Sequence, residues 1–172
     1  EFISARVINN SYSKTKNLLT IKKGSNDGIK IDMGVITSNG IVGIINNVSE
    51  NYATIQSLLN TNSQINARLK NSNHFGSIKW NTKATNIVQL TDVNRLAPVN
   101  IGDTIITDGK STIFPEGIPV GTIKKYELGE NDSYNLDIQL FNDMTNLKHV
   151  YLITNNHAQE IKELEKEGED VQ

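Results

Sequence analysis

With 172 residues, the chain has room for one medium domain or two small ones, and its 37% hydrophobic and 6% aromatic content describes a thin, aliphatic core. Its 17 basic and 19 acidic residues leave a formal charge of −2 and no basic footprint for nucleic acid; the lack of cysteine excludes disulfides, thiolate catalysis and Cys-based metal centres. No run approaches the roughly 20 apolar residues of a membrane helix, and no charged start followed by an apolar stretch marks a signal peptide.

The chain opens Glu1-Phe2-Ile3, without methionine, and reads as a soluble piece of a longer protein. In chain order, short β-branched or alternating runs stand at residues 5–8, 18–22, 34–37, 41–48, 53–59, 65–70, 77–80, 87–90, 104–107, 120–126, 135–140 and 150–154. Alternation is clearest in Ile65-Asn66-Ala67-Arg68-Leu69-Lys70 and in Asn135-Leu136-Asp137-Ile138-Gln139-Leu140, the period of a strand with one buried face. Turn signals separate the runs: Gly24 to Gly28, Ser38-Asn39-Gly40, Gly102-Asp103, Asp108-Gly109 and Gly129 to Asp132. A dozen such strands, with no room for alternating helices, make the fold all-β, a sandwich or barrels.

One stretch repeats. Gly34-Val35-Ile36-Thr37-Ser38-Asn39-Gly40 followed by Ile41-Val42-Gly43 has a counterpart in Thr104-Ile105-Ile106-Thr107-Asp108-Gly109 followed by Ile118-Pro119-Val120-Gly121. Degenerate duplication and chance reuse of common β residues both account for it. Duplication implies two small β-barrels, residues 1–80 and 81–155, and sequence leaves open an exchange of strands between them. Gly43 and Gly121 then read as barrel corners. Phe114-Pro115-Glu116-Gly117-Ile118-Pro119 reads as a rigid protruding turn, either a docking surface or a stiff entry to the next strand. Residues 156–172 hold six acids and two bases; Ala158, Ile161 and Leu164 predict a polar helix that Gly168 ends, with disorder beyond.

Chemistry-bearing patterns are scarce. His74, His149 and His157 stand apart from one another and from any zinc spacing, Gly102-Asp103-Thr104 only superficially resembles a serine-hydrolase stretch, and no phosphate or calcium loop is complete. No catalytic residue, cofactor or metal is expected. The candidate partner-binding residues are the aromatics Phe75, Trp80 and Phe114, of which Phe75 and Trp80 read equally as core anchors.

Ala5-Arg6-Val7-Ile8-Asn9-Asn10-Ser11, Asn17 to Ile29, Gly34-Val35-Ile36-Thr37 and Gly40-Ile41-Val42-Gly43 together resemble the MreC family of cell-shape proteins. So do Gly102 to Gly109 and Ile113 to Gly121, with Asp108 standing where the family usually has Ser. The resemblance implies paired barrels similar to chymotrypsin-like ones but without catalytic residues. It implies a periplasmic domain anchored to the inner membrane through a helix outside this chain, and self-association as a dimer or filament. The implied function is a scaffold for lateral peptidoglycan synthesis, with the elongation-specific penicillin-binding transpeptidase, MreD, RodA, RodZ and the MreB system as partners. The alternatives are a degenerate protease-like hydrolase and a wall-glycan-binding module.

Overall fold

The computed structural model describes residues 2–111, 113–154 and 158–170. Its strands are β1 Phe2–Asn10, β2 Lys16–Ile21, β3 Gly34–Ile36, β4 Ile41–Val48, β5 Ala53–Asn60, β6 Ile65–Leu69, β7 Phe75–Lys79, β8 Ile87–Asn94, β9 Thr104–Thr107, β10 Pro119–Leu128, β11 Ser133–Leu140 and β12 His149–Ile153. Each coincides with a run predicted above, because β-branched alternation is a local signal that survives any tertiary arrangement. A helix, α1, spans Ala158–Asp170.

The strands close two barrels, ordered β1-β12-β3-β4-β5-β2 and β10-β11-β8-β7-β6-β9. The second takes six strands consecutive in sequence, β6 to β11, whereas the first takes β1 to β5 and borrows its sixth, β12, from the end of the strand order. β12 pairs with β1 and β3 to seal the first barrel; β6 pairs with β7 and β9 to seal the second. The division at residue 80 therefore needs correction: β6 and β7 belong to the second barrel, and β12 to the first. The repeating units are β1–β6 and β7–β12, which meet between Leu69 and Phe75 and exchange their last strands.

Registers make the repetition concrete. Gly43 stands opposite Val35 and Ser57, as Gly121 stands opposite Ile105 and Leu140, and a bulge follows at the same offset in β4 and in β10. A Cβ on Gly43 would lie 2.1 Å from the Gln56 carbonyl oxygen, and one on Gly121 the same 2.1 Å from that of Gln139. Both glycines therefore answer to one close backbone approach at a bulged corner. The buried aliphatic residues of both barrels, among them Leu19, Ile45, Ile55, Ile78, Leu90 and Ile138, form one contiguous cluster.

The helix departs from expectation. It continues through Gly168 to Asp170, an exposed position where glycine lowers helix stability by about 1 kcal/mol without forcing a stop. His157 and the last two residues lie outside the described residues.

Three outcomes follow for stability. A chain ending at residue 148, which lacks β12, loses its cooperative thermal transition, whereas one ending at residue 154 melts near the parent. Gly43→Ala and Gly121→Ala each cost about 3 kcal/mol in chemical denaturation, because backbone must move to admit the methyl group.

Candidate functional site

Phe114 is 1% exposed, and a Cβ on Gly34 of β3 would lie 2.7 Å from its ring carbon Cε1. The ring thus packs on the glycine backbone of the other barrel and does not tip an exposed loop. The proline loop is folded back by Thr107, whose hydroxyl donates to the Pro115 carbonyl at 2.7 Å and accepts from the Ile118 N–H at 2.9 Å. Arg68 adds an ion pair to Glu116. Gly40, in the β3–β4 turn, sits against the second barrel as well, since a Cβ there would lie 2.5 Å from the Pro119 carbonyl oxygen.

Asn142, in the connector from β11 to β12, completes this junction. Its side-chain amide donates to the Gly40 and Ile41 carbonyls at 2.9 and 3.0 Å, and its oxygen accepts from the Thr37 hydroxyl. The next residue, Asp143, has its carboxyl held below the usual carboxylate range by hydrogen bonds from the Thr145 hydroxyl and N–H.

Trp80 is also buried, and its indole N–H donates to the Ala84 carbonyl at 2.8 Å. It backs a groove of about 470 Å³ between the Tyr12–Thr15 and Thr82–Thr85 loops. Trp80 and Phe114 are thus buried anchors of the fold. Phe75 is different: it is 46% exposed, with the Lys110 ammonium 3.1 Å from its ring centroid.

The turn residues take up their places around this frame. Gly24 and Gly28 flank a short 3-10 turn at Ser25–Asp27. Gly102, Gly109 and Gly117 have φ of +91°, +77° and +94°, and the Asp103 carboxylate accepts from the Asn100 N–H at 3.3 Å. Asp108 caps the Lys110 N–H with one oxygen, while its other oxygen is buried without a hydrogen-bond partner among the described residues. The His74 ring meets a neighbouring hydroxyl: Ser72 Oγ lies 3.1 Å from the ring nitrogen Nδ1 and accepts from the His74 N–H, a local turn. Among the described residues, no group of three His, Asp or Glu could hold a metal.

Further exposed apolar side chains lie elsewhere. On the β10–β11 hairpin, Tyr126 and Leu128 are 43% and 61% exposed, and Tyr134 meets Tyr126 edge-on at 5.7 Å. On the first barrel, Phe2 and Tyr151 pack edge-on at 6.3 Å beside Ile36. Tyr126 was legible as a strand residue, but no local signal shows that β10 outruns β9.

The family model of the MreC rod shape-determining protein, barrel core, matches residues 7–154. The chain belongs to the MreC family. It is 29% identical over 155 residues to the cell shape-determining protein MreC of Listeria monocytogenes, covering 88% of this chain and 52% of that protein. The chain thus spans about half the length of this relative. A solved Listeria MreC structure superposes with a TM-score of 0.82 at 28% identity, covering 90% of this chain and 75% of that one. A second, described as the major periplasmic domain of the cell shape-determining filament MreC, gives 0.78 at 23% identity, covering 91% and 96%. The MreC chain of a complex between penicillin-binding protein PBP2 and MreC from Helicobacter pylori gives 0.68 at 17%, covering 91% and 100%.

Denaturation of single variants separates anchors from surface. Phe114→Ala costs about 3–5 kcal/mol, and Phe75→Ala stays within about 0.5 kcal/mol of the parent. Asp108→Ser, which keeps a cap for Lys110 and removes the unpartnered oxygen, stabilises by about 1 kcal/mol.

Proposed function

We propose that the chain is a non-enzymatic scaffold of the cell-elongation machinery. It organises lateral peptidoglycan synthesis by binding the elongation-specific penicillin-binding transpeptidase and by associating with further copies of itself. In the whole protein it sits on the periplasmic side of the inner membrane, held by a helix outside this chain, in the company of MreD, RodA, RodZ and the MreB system.

The observation that carries this reading is the twin-barrel architecture shared with an MreC solved in complex with PBP2. The surface chemistry is consistent with it. An exposed aromatic side chain stands on a rigid strand of the second barrel, at Phe75, where little ordering entropy opposes binding. The Ser72–His74 contact is part of a tight turn.

The test is the affinity of the 172-residue chain for the extracytoplasmic region of its own organism's elongation transpeptidase. Saturable binding at micromolar Kd or tighter is expected, with Phe75→Ala weakening it about tenfold while the melting temperature stays unchanged. Absence of binding rejects the transpeptidase as a direct client of this domain; an unchanged affinity in the variant removes Phe75 from the interface.

A further inference from the structure

β10 runs past the end of β9, its outer neighbour in the second barrel, while β11 keeps β8 beside it to Ser133. β9 accompanies β10 only from Pro119 to Thr122, whereas β11 follows it to Leu128. Residues 124–128 are consequently paired on one side only, and all five are exposed. The phase of the ladder can be set from both ends. The Gly129 N–H donates to the Ser133 carbonyl at 2.7 Å, which turns the peptide groups of Glu127 and Lys125 towards β11 and those of Leu128 and Tyr126 outwards. From below, the Ile123 N–H donates away from β11, to the Asp103 carbonyl at 2.9 Å, and a bulge separates it from Lys125.

The first barrel shows how the same edge is satisfied when it is closed. Just beyond β4, the carbonyls of Ser49 and Glu50 accept from the N–H groups of Ser25 and Asn26 at 2.8 and 3.0 Å, so the chain's own 3-10 turn covers the edge. In the second barrel, no described backbone group does this for Tyr126 or Leu128.

We propose that this edge pairs with the same edge of a second copy, antiparallel and two-fold symmetric about Tyr126. This rests on the self-association part of the reading above and assigns it a surface. The segment Lys124-Lys125-Tyr126-Glu127-Leu128 is self-complementary in that register. The outward peptide groups of the two Tyr126 residues exchange both hydrogen bonds. Lys125 of each copy stands opposite Glu127 of the other, twice, at the non-hydrogen-bonded positions where side chains approach most closely. On the opposite face the Tyr126–Tyr134 pair meets its symmetry mate and makes a four-ring row. The interface is isologous, so it closes as a dimer. Charge also fixes the register: a slip of two residues places Lys125 on Lys125 in one direction and Glu127 on Glu127 in the other, and a slip of one puts the hydrogen bonds out of phase.

The test is sedimentation equilibrium of the 172-residue chain from micromolar to millimolar concentration, with melting curves for every variant. A reversible dimer weakened by salt is expected. Lys125→Glu alone and Glu127→Lys alone each weaken it at least about tenfold, because each turns two attractive pairs into repulsive ones. The two single variants mixed together form a heterodimer, and the double variant Lys125→Glu/Glu127→Lys regains the parent's affinity. A chain monomeric throughout, a dimer indifferent to both single reversals, or reversals that the mixture and the double variant fail to rescue would each overturn the proposal. Transpeptidase affinity of the same variants keeps the two readings apart. It is expected to be unchanged, whereas reversals that weaken it and leave self-association intact make the edge a docking strip for that enzyme and overturn self-pairing. Failure of the parent to bind transpeptidase leaves the sedimentation result as it stands.

Discussion

Neither barrel can close with the strands of its own repeat. A β-barrel avoids exposed edges only when every strand has two neighbours, and here the sixth place is filled reciprocally, by β12 in the first barrel and β6 in the second. Two connectors carry the chain across, and each has one buried polar residue: Ser63 in the first, Asn142 in the second. Buried amides are tolerable only when their hydrogen bonds are met. Asn142 meets its own by gripping the Gly40 and Ile41 carbonyls of the opposite barrel. Phe114 supplies the apolar counterpart by lying on the bare backbone of Gly34. The relative orientation of the barrels is thus built from covalent crossing, directional bonds and close packing together.

The strands were legible because their signal is local. Ile, Val and Thr alternate with polar residues wherever a face is buried, whichever barrel that face belongs to, so all the predicted runs coincide with strands. Partnership is a long-range property, and the periodicity of Ile65–Leu69 or His149–Ile153 contains nothing that names the barrel each will join. The burial of Phe114 is a long-range property too. A loop with two prolines and a glycine is locally a protruding turn, and only the Thr107 hydroxyl and the empty side-chain position of Gly34, far off in sequence, turn it inwards. The repeated Val-Gly pairs behaved differently. Gly43 and Gly121 meet the same obstacle in equivalent places, so a repeated physical requirement showed as a repeated dipeptide.

The same frame explains why chemistry-bearing motifs were scarce while surface features abound. Most apolar side chains are consumed in closing two small barrels and joining them, and the aromatics that remain at the surface stand on strands or on turns tied to strands. A ring such as Phe75, held on a strand with the Lys110 ammonium over its face, is prepaid in rotamer entropy. The outer edge of β10 is the exception to closure, and there the backbone itself is left with bonds to make.

The exchange of last strands also imposes an order on biogenesis. The first barrel is begun by residue 2 and cannot be completed until residue 153 has been made, because β12 sits between β1 and β3. The second barrel, by contrast, has its borrowed strand β6 in hand before its other five are synthesised. During elongation, then, the N-terminal half waits as an unsealed sheet while the C-terminal half is able to finish. Completion of the whole molecule is signalled by the insertion of one short strand. A chain that ends before β12 leaves two raw sheet edges, on β1 and on β3.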